Sequence, residues 1–351
     1  MSRYTTNLLK TALSTIYFTG GHHLLAPYTQ GVGVIFMLHQ VTPEPPRKFE
    51  PNRILKITPA FLGRAIENVR NAGFDVVSLD EAHWRLCEGD FERSFACFTF
   101  DDGYRDNYEH AYPIFRDLEL PFAIYVPSDF ADLKADLWWL TLEHIIDVVD
   151  ELRVRIDGAD RTFAAASVEE KENAYDTIYW WLRGIDENDA RAFVRQLARG
   201  IGFDPASLGP ELLMDWDTIR IMDRDPLVTI GGHTKGHYAI AKLSEAEARF
   251  QVQSNLDRLE AELGHRPEHF SYPYGCEVSA TPREFAMLKE LGIKTAVTTR
   301  KGLIYAEHEQ HLTALPRVSL NGDYQEERYL KVFLSGAPFI LRNGFKKVNT
   351  A

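Results

Sequence analysis

The chain has 351 residues, 45% hydrophobic and 26% charged, a globular profile that excludes disordered and fibrous classes. Its 39 Lys and Arg against 51 Asp and Glu give a net charge of -12, so no nucleic-acid partner is expected. Three cysteines, Cys87, Cys97 and Cys276, are too few and too scattered for a disulfide framework or a thiolate metal site, and read as reduced thiols.

Residues 11–43 carry no Asp, Glu, Lys or Arg, but Gly20-Gly21-His22-His23, Pro27 and Gln30 break the stretch well short of a membrane span. A compact apolar region followed by a small-residue cleavage site is also missing, so a cytoplasmic location is expected. Leu8, Leu9, Ala12, Leu13, Ile16 and Tyr17 recur at helical spacing and predict an amphipathic helix over 6–18. That helix either packs on the domain or makes weak contact with a membrane surface. Residues 1–30 are thus read as a helix and linker.

Strands and helices then alternate. Apolar runs predict strands over 31–39, 74–79, 95–100 and 122–126, with helices over 59–72 and 107–118 between them. Thr58-Pro59 opens the first of those helices and Gly73 ends it. The alternation resumes with strands over 227–231, 270–272, 293–298 and 312–320. Ser244-Glu-Ala-Glu247 and Thr281-Pro-Arg-Glu284 cap the intervening helices. Seven or eight such units, without a glycine-rich dinucleotide turn, predict an α/β fold: a distorted parallel (β/α) barrel over 31–320. Residues 321–351 form a C-terminal extension. The interval of about 130–225 is too long for a loop and is read as a helical insertion, with helices over 137–152, 168–182, 187–197 and 212–222.

Reactive side chains fall at the C-terminal ends of the predicted strands: His39, Asp101-Asp102, His233 with His237, Tyr274 and Arg317. That rim is where parallel barrels assemble active sites. His233-Thr-Lys-Gly-His237 can bring two imidazoles to one cation if the segment turns helically, and Asp101-Asp102 is a natural source of a third ligand. Adjacent residues on an extended chain point oppositely, so a turn must swing one carboxylate round, and Gly103 offers the permissive backbone.

Phe98-Thr-Phe-Asp-Asp-Gly103, His233-Thr-Lys-Gly-His237 and Phe270-Ser-Tyr-Pro-Tyr-Gly275 resemble, in order, three motifs of the polysaccharide deacetylases, the NodB-homology or carbohydrate esterase 4 family. Leu38-His39-Gln40-Val41 and Pro127-Ser128-Asp129 look like the same family. The resemblance implies that Asp102, His233 and His237 bind a divalent metal, Zn²⁺ first, with Co²⁺ or Ni²⁺ as alternatives. It implies Asp101 as general base and Tyr274 as an oxyanion-hole N–H donor following Pro273, itself placed at the substrate. The implied activity is removal of acetyl from an N-acetylated glycan or glycan precursor. Two further readings stay open: hydrolysis of another carbon–nitrogen bond on the same fold, and an inactive glycan-binding protein.

The chain departs from the family at two places. Ser271 stands where many members carry an arginine, and Leu315-Pro-Arg-Val-Ser-Leu320 lacks the histidine of their Leu-x-His motif. Arg317 either supplies the missing charge to Asp101 or forms a rim salt bridge. His39 is the substitute for the missing acid, or a structural histidine. Trp138 and Trp139 either stack on sugar or pack between helices.

Overall fold

The computed structural model describes residues 3–350. Seven parallel strands close into a barrel: β1 (Gly33–Leu38), β2 (Phe95–Phe100), β3 (Phe122–Val126), β4 (Val228–Gly232), β5 (His269–Ser271), β6 (Thr295–Lys301) and β7 (Leu315–Ser319). Neighbours follow chain order around the ring, and β7 pairs with β1 to close it. The pairing of β1 with β2 runs unbroken from Gly33 opposite Phe95 to Leu38 opposite Phe100. The strand predicted over 74–79 shrinks to Asp75–Val76, a short edge beside β2, because Ser78 caps the helix Leu79–Glu88 that starts there.

Both faces of the barrel wall are buried, so the strands are apolar on both sides. Along β2, Ala96, Phe98 and Phe100 join the core under the outer helices, while Phe95 and Cys97 join Ile35, Tyr125, Val297 and Leu315 in a second core. This second set is the lumen. Its large rings demand missing side chains opposite them: a Cβ on Gly33 would lie 2.5 Å from the Phe95 ring, and one on Gly231 2.5 Å from Tyr125.

The chain between β3 and β4 carries the helices Trp138–Val148, Val168–Gly184 and Glu187–Gly200, with shorter ones on either side. It is not wholly helical. The helix predicted to continue to 152 ends at Val148, and Glu151–Ile156 pairs antiparallel with Ala159–Ala164. Leu152, Val154 and Ile156 alternate inward, and Asp157 and Gly158 turn the hairpin with φ of 52° and 78°. That dipeptide and the period-two pattern were the available signal. The segment has its own apolar core, which also takes in Phe49 and Tyr104.

At the N-terminus a helix, Arg3–Phe18, is followed by a second, Gly21–Thr29, where a linker was expected. Gly20 makes the corner with a φ of 71°. Two C-terminal helices, Glu327–Leu334 and Ala337–Arg342, pack on this pair. The Thr29 hydroxyl donates to the Ser335 carbonyl (2.6 Å) and Tyr305 OH donates to the Thr29 carbonyl (2.6 Å).

His308 is fully buried in the segment leading into β7, and its Nδ1 accepts from the Tyr305 N–H at 3.0 Å. Burial lowers its pKa from the ordinary 6.5 to about 4. A folded pKa below the unfolded one means that protonation favours the unfolded chain. This contribution to stability is full above pH 6.5 and is lost toward pH 4, by about 3 kcal/mol. The Tm of the wild type should therefore fall faster than that of His308→Gln between neutral pH and the acid end of this window. Parallel slopes would remove His308 as the source.

Candidate active site

The period-two alternation of β2 carries Asp101 to the mouth of the barrel on the same inward face as Thr99. The Asp101 N–H still donates to the Leu38 carbonyl (3.0 Å), so strand-like pairing extends to it. Asp102 would then point away. It does not, because Asp102 adopts a φ of 75° and Gly103 one of 69°. The left-handed turn is thus shared by Asp102, whereas the sequence had pointed to Gly103 alone. A side chain in this region costs on the order of 1–3 kcal/mol and persists only where the surroundings enforce it.

His233 directly follows β4. Its N–H donates to Asn255 Oδ1 (2.9 Å), and Asn255 Nδ2 donates to the Val126 carbonyl (3.0 Å), which ties the residue to β3 and the helix Glu245–Leu263. His233 Nδ1 lies 2.6 Å from the Ser271 carbonyl, which places the proton on Nδ1 and leaves the Nε2 lone pair for a ligand. The segment from His233 to His237 is not helical. Positive φ at Thr234 (61°) and His237 (57°) brings the second imidazole back instead. Phe130, Trp139 and Tyr274 surround the His237 ring, with centroids at 5.6, 5.1 and 4.9 Å.

Asp102, His233 and His237 each offer an atom within 4.8 Å of the others, and all three residues are buried. Asp102 Oδ1 is 3.4 Å from His233 Nε2 and 3.2 Å from His237 Nε2, yet it makes no hydrogen bond. Burial lowers the pKa of His237 against the opposing charge of Asp102. Burial pushes Asp102 up, but the facing imidazoles outweigh it and hold the carboxyl well below its usual range. A buried carboxylate oxygen with no hydrogen bond, facing the Nε2 atoms of two imidazoles, fits a divalent cation.

Arg317, at 1% exposure, reaches Asp101 from β7. Its Nη1 donates to Asp101 Oδ1 (2.8 Å) and Thr99 Oγ1 (3.1 Å), and its Nη2 to Asp101 Oδ2 (2.7 Å) and Ser271 Oγ (3.0 Å). Its Nε donates to the Thr298 carbonyl (2.9 Å). Burial alone would raise the pKa of Asp101, but the Arg317 charge and its paired hydrogen bonds reverse that, and the carboxyl titrates below its usual range. The arginine missing at position 271 is thus met by one from another strand, and Ser271 is small enough to admit it.

Tyr274 has a φ of 61°, and its backbone N–H donates to no group among the described residues. Its carbonyl accepts from Thr299 Oγ1 (2.7 Å), its ring lies 3.6 Å under the Arg183 guanidinium, and its hydroxyl accepts from Trp138 Nε1 (2.8 Å). Trp138 and Trp139 are 2% and 5% exposed, so neither offers a face to sugar. The placement of these two at substrate is corrected: both belong to the core of the insertion and act as walls for Tyr274 and His237. Pro273, also placed at substrate, is buried, and its carbonyl accepts from the Gly275 N–H (2.7 Å) to shape the turn.

His39 is half-buried at the end of β1. Burial lowers its pKa while the charges of Asp102 and Asp101 oppose that, and its carbonyl accepts from Asn107 Nδ2 (2.7 Å). Two supports escaped the sequence. Asn255 looked like one polar residue in a long helix. Arg191, 3% exposed, pairs with Glu187 (2.8 Å) and donates to the His237 carbonyl (2.8 Å), so the insertion grips the histidine loop. An i,i+4 Glu–Arg pair was visible, but that spacing usually marks a solvated helix face.

The chain matches the polysaccharide deacetylase family over residues 157–296, a range that holds the histidine and tyrosine motifs and leaves Asp101 and Asp102 outside. This agrees with the resemblance drawn from the motifs. Among solved structures, the barrel is similar to the deacetylase PplD of Streptococcus pyogenes, in complex with acetate: TM-score 0.57, 15% identity, 86% of this chain and 97% of that one. It is also similar to IcaB from Ammonifex degensii (TM-score 0.53, 18% identity, 88% and 97% covered). A polysaccharide deacetylase from Bacillus cereus gives 0.50 at 14% identity, covering 86% and 68%. The fold is the (β/α)7 barrel of these proteins. No curated protein matches the chain in sequence.

Replacing Arg317 with Met should leave Asp101 buried without its partner and lower stability by about 3–5 kcal/mol. Arg317→Lys should retain part of that stability by keeping the charge while losing the fork. Denaturant titration of both variants checks this, and a loss below 1 kcal/mol for Arg317→Met would contradict the pair's structural weight.

Proposed function

We propose that this chain is a metal-dependent N-deacetylase acting on an N-acetylated sugar, oligosaccharide or polysaccharide precursor. The observation that carries this is the juxtaposition, on one barrel mouth, of a buried Asp-His-His donor set with a second carboxylate clamped by arginine. The family match over the histidine and tyrosine motifs supports it, as does the likeness to deacetylases, one of them holding acetate.

Amide hydrolysis at neutral pH needs a nucleophile, a proton acceptor, a stabilised oxyanion and a proton for the leaving amine. Asp102, His233 and His237 would hold the cation, which when bound supplies Lewis-acid polarisation and acidifies the attacking water to a pKa of about 7. The donor set of two imidazoles and one carboxylate suits Zn²⁺, Co²⁺ or Ni²⁺. Asp101 accepts the proton of the water. Arg317 keeps that carboxylate ionised and fixes its rotation, so it is ready as a base at the moment of attack. The unpaired Tyr274 N–H donates to the developing oxyanion, a contribution typically worth about 3 kcal/mol. His39 would take up the proton that Asp101 accepted from the water and, as the imidazolium, deliver it to the leaving amine.

Acetate release from a panel of N-acetylated sugars and oligosaccharides, with and without chelator, tests the reaction and the metal together. Release that stops with chelator and returns with Zn²⁺, Co²⁺ or Ni²⁺ is expected; release from none of the panel, or release indifferent to chelator, overturns the reading. The aspartates should fail differently. Asp101→Asn should keep about one metal per chain and lose roughly 10²- to 10⁴-fold in rate. Asp102→Asn and His233→Ala should lose metal first. If Asp101→Asn shed metal while Asp102→Asn kept it at full activity, the two roles would be assigned wrongly.

A further inference from the structure

We propose that the paired terminal segments form a docking surface for a membrane leaflet containing anionic phospholipids. This goes beyond the reaction at the barrel mouth and does not depend on it.

The helix Gly21–Thr29 is amphipathic the wrong way round for a helix packed on a domain. It buries His22 and Thr29, while Leu24, Leu25 and Tyr28 are exposed at 74%, 39% and 78%. Leu24 and Tyr28 lie one turn apart with Leu25 beside them, so they form a single outward stripe. Phe18, at the end of the preceding helix, is 72% exposed, and Leu341 and Phe345 from the C-terminal segment are 53% and 75% exposed. The helices that carry them pack against one another, so the two ends of the chain make one structural unit. Among the described residues, seven of the sixteen exposed large hydrophobic side chains fall in these segments, a concentration that scattered surface apolar residues do not explain.

Charge selects the partner. All 51 acidic residues lie between Glu44 and Glu327, so the two flanking stretches hold seven Lys and Arg and no acid. Arg328 and Lys331 pair with Glu326 and Glu327 at the boundary. Lys10, Arg342, Lys346 and Lys347 are in no ion pair among the described residues. A chain of net charge -12 is repelled by an anionic surface as a whole, so attachment needs this basic, apolar end to face the lipid, and screening confines the interaction to it. A second copy of the chain would set one basic face against another. No described helix is long and apolar enough to cross a membrane, so the segment lies on the surface.

Flotation of the full chain with phosphatidylcholine vesicles, with and without phosphatidylglycerol, tests this. Binding is expected only with phosphatidylglycerol, and it should fade by about 0.5 M salt. Leu24→Asp with Tyr28→Asp should weaken it about tenfold or more, and so should Lys346→Glu with Lys347→Glu, because both terms contribute. All four side chains are at the surface, and unchanged thermal melts confirm the fold of each variant. Acetate release from a soluble substrate should be unaltered, which separates failure here from failure of the catalytic reading. No flotation, equal flotation on pure phosphatidylcholine, or an ultracentrifuge dimer that the Leu24 variant dissolves would each overturn the proposal.

Discussion

Arg317 lies inside the barrel with all five of its N–H donors engaged, and the order of the site depends on that guanidinium having a carboxylate opposite it. Unpaired, a charge at this depth is destabilising by several kcal/mol; paired in a fork, it becomes a fixed strut. The strut links β7 to Thr298 on β6, Ser271 on β5 and Thr99 on β2. Four of the seven strands therefore hold one side chain, and that side chain holds Asp101. Because Asp102 is the next residue, the position of its Oδ1, which faces His233 and His237, is inherited from the same strut.

Backbone strain is concentrated around this point. Asp102, Thr234, His237 and Tyr274 account for half of the eight described non-glycine residues with positive φ. Each bends a rim loop so that a side chain or an N–H faces the barrel mouth instead of solvent. Such conformations survive because other contacts over-determine them. The Ser271 carbonyl and Asn255 hold His233, Arg191 holds the carbonyl of His237, and Thr299 holds that of Tyr274.

The insertion explains how these loops stay closed. Its apolar core is separate from those of the barrel, yet it includes Phe130 and Trp139, which flank the His237 ring, and Trp138, which donates to the Tyr274 hydroxyl. One wall of the site is thus built by the barrel and the other by the segment between β3 and β4. The buried Glu187–Arg191 pair extends the same support to His237 through the main chain. A region that reads as an accessory along the chain is, in space, one side of the site.

What the sequence determined alone was what local order can encode. Apolar runs of β2 and β3 marked those strands to the residue, capping boxes at Ser244 and Thr281 marked helix starts, and three motifs in strand-end positions marked the rim. Those signals are short-range and depend on periodicity, so one chain suffices to see them. The tertiary structure decided between the two readings that the sequence left for Arg317: its fork closes on Asp101, 216 residues away, because the barrel brings the ends of β7 and β2 to one mouth. It decided that Trp138 and Trp139 are walls, because burial depends on what another segment brings against them. It decided the inverted face of Gly21–Thr29 for the same reason: which side of a helix is covered is settled by the partner that packs on it, here the C-terminal helices, 300 residues further along.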